Sequence, residues 1–217
     1  LRIAEISGEK NADPAGAYQM LEGAFLDDPA DPDLWDRLTN AAEVAGKQTD
    51  AAAAFAMAIE GSGLSPEDQA ALAQRVAQIH DVVLGKPEDA EPFHRRVLAT
   101  LPLDEHAFLA LKELYTNAER WRELKVLYGA RIDRTVDAEA KVDLLLQECF
   151  LFVELIDDPE KAIGAYRAVL ELDPRHTSSR RSLDRLLVRT GGHRELADLL
   201  LGDLDQVDMD ADGLTEA

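Results

Sequence analysis

Cysteine is almost absent: the 217 residues hold one, Cys149. A single thiol excludes an internal disulfide and any thiolate-based metal cluster. Aromatics are sparse at 6%, and positive charge is short, with 23 Lys and Arg against 43 Asp and Glu and a net charge of −20. A body this acidic repels a phosphate backbone, so no duplex nucleic acid is expected as a general partner. Long apolar runs are missing. The longest, from Val142 to Ile156, is broken by Asp143, Gln147, Glu148 and Glu154. A bilayer span needs about 20 apolar residues, so direct membrane insertion of this segment is not expected. No stretch reads as a secretory signal. The chain begins on Leu1 rather than Met, which reads as a piece of something longer and leaves cytoplasm and periplasm both open.

Catalytic signatures are lacking as well. Gly61-Ser62-Gly63 has neither the lysine nor the preceding strand of a phosphate loop. The histidines at 80, 94, 106, 176 and 193 are scattered and form no His-Glu-x-x-His zinc motif. Carboxylate pairs occur throughout, and none has a setting that marks a general acid. Cys149 falls on the apolar face of a helix beside Phe150 and Leu146, which reads as a buried structural thiol rather than a nucleophile. The expectation is a non-catalytic protein without a cofactor.

What the chain has is a foldable composition, 46% apolar, and an internal repeat. Pro87-Glu88-Asp89-Ala90, Val97-Leu98 and Pro102 return 72 residues later as Pro159-Glu160-Lys161-Ala162, Val169-Leu170 and Pro174. Leu111, Leu114, Leu127 and Arg122-Glu123-Leu124 return as Leu183, Leu186, Leu199 and Arg194-Glu195-Leu196. An earlier copy lies 73 residues upstream, where Pro14, Ala17, Pro29, Trp35, Leu38, Ala51 and Phe55 answer Pro87, Ala90, Pro102, Phe108, Leu111, Leu124 and Tyr128.

No copy carries a strand signal. Apolar residues recur at three and four, as on an amphipathic helix. Prolines fall where helices start or just beyond where they stop. Gly46, Gly85 and Gly191-Gly192 fall between periodic segments, where a helix end favours a left-handed residue. The pattern predicts helices over 1–7, 14–27, 31–45, 48–61, 66–84, 87–100, 104–117, 120–134, 137–156, 159–172, 175–189 and 193–203. They group into units near 14–86, 87–158 and 159–203, with 204–217 as an acidic tail or the start of a further repeat.

These residues resemble the tetratricopeptide repeat, a helix pair of about 34 residues. Trp35, Leu38, Ala51, Phe55 and Ala58 take that family's positions in order. Phe108, Leu111, Tyr115 and Tyr128 do so in a later pair, as do Ala162, Tyr166 and Pro174, and near the start Ala17, Leu21, Ala24 and Pro29. The first-helix glycine is replaced by Thr39, Lys112 and Asp184, and the second-helix alanine by Leu124 and Leu196. The resemblance implies an all-α, right-handed α-α superhelix of about six helix pairs, the first truncated. One pair cannot bury enough surface to stand alone, so stability is shared between stacked neighbours. The aromatics Trp35, Phe55, Phe108, Tyr115, Tyr128 and Tyr166 are read as core. Leu1 to Ser7 reads as the end of a helix, and the helix near Leu196 to Leu204 has no cap after it. Flanking repeats of the same chain are therefore among the expected partners.

Two local features stand above this background. From Arg175 to Arg194 six arginines meet one acid, Asp184, for a local charge of +5. Leu183, Leu186 and Leu187 form the buried face of that helix. Arg181 and Arg185 point away from it, with Arg189 at its edge. The resemblance puts Ser178, Arg181, Arg185 and Arg189 on a groove wall formed by first helices. Arginine suits carboxylate or phosphate through its planar fork. Two readings stand: a socket for an acidic peptide, or a solvated face or contact to a neighbouring repeat. The second feature is the tail, 195–217, with eight acids and no base. Asp208, Asp210, Asp212 and Gly213 match the first half of an EF-hand calcium loop. The second half fails at Thr215, and the bidentate Glu position falls past Ala217. A solvated tail, a calcium site and a tail folded onto the arginines are the alternatives. The function expected is an interaction scaffold that binds a protein, an acidic peptide or a neighbouring subunit on a groove. The alternative is a regulatory or assembly region of a larger enzyme or membrane-associated machine.

Overall fold

The computed structural model describes residues 13–61 and 63–201. Every regular element among them is a helix: α1 (Pro14–Asp27), α2 (Pro32–Ala45), α3 (Gln48–Glu60), α4 (Pro66–Gln78), α5 (Pro87–Thr100), α6 (Glu105–Asn117), α7 (Trp121–Arg134), α8 (Ala138–Phe150), α9 (Pro159–Leu172) and α10 (Thr177–Thr190). An eleventh, α11, covers 193–201. Two helices widen into a π-helical turn at their ends, α4 at Ile79–Val83 and α8 at Leu151–Ile156. The expected all-α class is therefore observed, with the helix at 1–7 outside the described residues.

The repeat is written in the backbone. Asp13 and Asp158 cap α1 and α9 by accepting from the amides of Gly16 and Lys161. Asp31, Asp104 and His176 cap α2, α6 and α10 in the same way. Ser65 and Asp137 cap α4 and α8. Asp31, Asp104 and His176 recur at 73 and 72 residues, Ser65 and Asp137 at 72, and Asp13 and Asp158 at two repeats, 145 residues. Lys86 is the exception: it stands where the other copies have Asp and gives α5 no side-chain cap. The helix ends repeat too. Gly46, Glu119 and Gly191 all take left-handed φ, at 67°, 53° and 78°. The amide one residue further on returns to a carbonyl five residues back in each: Lys47 to Ala42, Arg120 to Tyr115, Gly192 to Leu187. Gly85 and Asp157 share the second left-handed position, at φ 62° and 54°. There the returning bond spans six residues, Lys86 to His80 and Asp158 to Phe152, because the π turn holds an extra residue.

Eight of the nine prolines obey the start-or-stop rule. Pro92 does not, and lies inside α5. It cannot donate to the carbonyl four residues back. That residue is Glu88, which is exposed.

The chain divides into two compact units, Leu1–Arg120 and Trp121–Ala217. In the first, α1 to α6 each pack on their sequence neighbours. Phe25, Leu38, Phe55, Leu72, Val76 and Val97 are its fully buried centre. Phe25 and Phe55 meet edge to face with ring centroids 5.1 Å apart. Trp35 is buried, and its indole N–H donates to the Pro29 carbonyl at 2.8 Å, tying the α1–α2 turn to the core. In the second unit α7 to α10 also pack in sequence order. Cys149, Phe152, Ala162, Ile163, Leu183 and Leu187 form its core, with Leu196 and Leu199 of α11 against it. Two side chains depart from expectation. Phe150 is 58% exposed rather than beside Cys149 in the core. Tyr166 is only half-buried, because it stands at the rim of a cleft.

Candidate functional site

Helix α10 turns Leu183, Leu186 and Leu187 inward. The 3.6-residue period then places Arg185 and Arg189 one turn apart on the outer edge. Arg185 Nε donates to the Arg181 carbonyl at 3.1 Å, which lays its stem along the helix. Helix α9 brings Tyr166 opposite, and the π turn after α8 brings Val153 and Glu154. With Ser182 and Leu186 these residues line a cleft of about 270 Å³. Burial pushes the Tyr166 hydroxyl up, and a hydrogen bond from Ser182 opposes it. The cleft thus offers two guanidinium groups and two hydroxyls over an apolar base, with one carboxylate, Glu154, on its wall.

Of the four arginine-face candidates, Arg185 and Arg189 come together here. Arg181 is exposed and outside the lining. Ser178, also outside it, shares a hydrogen bond with His176 Nδ1 at 3.3 Å at the helix start. Arg180 is a contact to a neighbouring helix: it donates to the Leu199 carbonyl at 2.7 Å. The composition of the arginine segment revealed none of Tyr166, Ser182, Val153 or Glu154.

A second cleft, of about 640 Å³, lies in the first unit. Its α6 lining includes His106, Leu109, Glu113 and Asn117. Each stands 72 residues before Ser178, Arg181, Arg185 or Arg189. The π turn contributes again, with Asp81 at the position of Val153. His94 Nε2 lies 2.6 Å from Asp81 Oδ2 and, in its Nε2–H tautomer, donates to that carboxylate; His94 is buried. The His94 and His106 ring centroids are 5.6 Å apart. The signal for this cleft was present in the sequence: subtracting one repeat from the four arginine-face positions finds it.

Other candidates resolve simply. Cys149 is buried, and burial pushes its thiol up to about 12, with Glu148 adding to the rise. It is protonated at neutral pH and shielded, as a structural thiol is. Among the described residues no cluster of His, Cys, Asp and Glu is arranged to hold a metal ion. Asp208, Asp210 and Asp212 lie outside the described residues. Among the described residues no helix is long and apolar enough to cross a membrane.

No family model and no curated protein matches the chain. Two solved structures are similar to it. A tetratricopeptide repeat protein from Parabacteroides merdae ATCC 43184 has a TM-score of 0.41 and 16% identity, covering 95% of this chain and 76% of its own. MamA 41-end from Desulfovibrio magneticus RS-1 has a TM-score of 0.37 and 16% identity, covering 80% of this chain and 93% of its own. The chain is an all-α array of helix pairs whose caps, turns and clefts repeat at intervals of 72 to 73 residues, similar to these helical proteins.

Proposed function

We propose that the chain is a protein-interaction scaffold and that the Arg185–Arg189 cleft docks an acidic peptide segment. One observation carries this: Arg185 and Arg189, one helical turn apart, line a cleft of about 270 Å³ together with Tyr166 and Ser182, the size of one or two side chains, in a chain of net charge −20. A carboxylate entering there exchanges water for charged and neutral donors already held by a packed helix, so little ordering is lost on binding. The chain acts without catalysis in this reading. Its thiol is buried and its cleft groups are binding groups rather than a nucleophile paired with a base.

The test is fluorescence anisotropy of a labelled acidic peptide against the intact chain. The double variant Arg185→Glu/Arg189→Glu is expected to weaken binding at least tenfold with an unchanged circular dichroism spectrum. Unchanged affinity discards the socket.

A further inference from the structure

The cleft of the first unit occupies the same repeat position as the arginine cleft but differs in the sign of its charge. Its floor is apolar: Pro87, Ala110, Leu114 and Leu109, the last 48% exposed. Asp81, Glu88 and Glu113 stand around that floor. Glu88 and Glu113 are exposed and hold no ion pair among the described residues. One repeat later, Glu113 and Asn117 are replaced by Arg185 and Arg189, and Asp81 by Val153. The backbone that makes the position, a π turn closed by a left-handed residue, is shared.

We infer that this cleft docks a basic protein segment, seating one apolar side chain on Leu109 and Leu114 and a flanking Lys or Arg against Asp81, Glu88 and Glu113. Exposed ion pairs alone are weak. The apolar floor therefore supplies the affinity, and the carboxylates select the sign of the partner and speed its approach. A volume of about 640 Å³ admits several side chains of an extended segment. An acidic segment meets two uncompensated carboxylates there and is rejected. The inference goes beyond the arginine socket and does not depend on it.

The probe is a labelled twelve-residue peptide with one Leu flanked by Lys, titrated into the intact chain by fluorescence anisotropy at 50 and 200 mM salt. Glu113→Arg is expected to weaken binding at least tenfold, and Glu88→Lys, from another helix, to weaken it in the same direction. Combining Glu113→Arg with Asn117→Arg is expected to reverse the preference toward an acidic peptide. Changing the peptide's Leu to Ser is expected to cost about tenfold. Glu171→Lys, a charge change of the same size in the second unit, is expected to leave basic-peptide binding unchanged. An equal loss with Glu171→Lys, or equal binding of the Ser peptide, would mean unspecific attraction to an acidic body and overturns the proposal. So does full affinity in both Glu113→Arg and Glu88→Lys.

Discussion

The left-handed positions show how single residues depart from the repeat and what that costs. A residue with a β-carbon loses about 1–2 kcal/mol in the left-handed region. Glycine avoids this and gives back about 0.5–1 kcal/mol through its freer unfolded chain. Glu119 occupies a position where the other copies have Gly46 and Gly191. Glu119→Gly is therefore expected to raise stability by about 0.5–1 kcal/mol in urea unfolding. Asp157→Gly should gain less, since aspartate tolerates this conformation better. A loss of stability in Glu119→Gly would contradict the assignment.

Glu91 is a second residue whose role can be measured. Its carboxylate accepts from both Arg120 Nη atoms, at 2.6 and 3.0 Å, and from the Tyr115 hydroxyl at 3.0 Å. The Arg120 hydrogen bond leads in holding Glu91 below the usual carboxylate range, with burial opposing. Burial leads in pushing the Tyr115 hydroxyl up to about 12. A depressed carboxyl contributes stability above its unfolded value, and that contribution is lost as pH falls through the folded value. Glu91→Gln is expected to cost about 1.5–3 kcal/mol at pH 7, the range for hydrogen bonds to charged groups. The gap to the parent chain should close as the pH drops below the ordinary carboxylate range. A gap that stays constant down to pH 3 would mean the charge of Glu91 contributes nothing.

At the scale of elements, helix starts and stops were legible because their causes are local. Proline at a first turn, a capping Asp or Ser and a left-handed glycine each act within four residues. The π turns were not legible, since widening a helix by one residue leaves no residue-type signature at this position: in register, Ile79–Val83 and Leu151–Ile156 share only branched apolar residues at Ile79/Leu151 and Val83/Leu155, as any amphipathic helix would. Tyr166 shows the same limit. Its spacing reads as core, and only the uncovered α9–α10 edge makes it a rim residue. Arginine composition pointed to α10 but not to which arginines act. That depends on Leu199, which engages Arg180, and on the π turn, which faces Arg185. Since each helix packs mainly on its neighbours in sequence, damage should stay local. Phe55→Ala, at a fully buried ring against Phe25, is expected to cost about 3–5 kcal/mol. Hydrogen exchange should show amide protection falling most in α1 to α4 and least in α9 and α10. A uniform loss over both units would contradict nearest-neighbour coupling.

For the whole molecule, one backbone device is reused with different chemistry. Each described long helix ends in a π turn, and each such turn borders a cleft whose other wall is the first helix of the following pair. The framework is held by caps, turns and buried leucines. The exposed wall positions are left to vary, which lets Glu113 become Arg185 without disturbing Leu114 or Leu186 beneath. Docking at these walls is the central claim, and nitrogen-15 NMR of the intact chain titrated with an acidic peptide tests it most directly. The account predicts shifts concentrated on the amides of Val153, Glu154, Tyr166, Ser182, Arg185 and Arg189. Shifts absent at millimolar peptide, or scattered over both units without focus there, would contradict it.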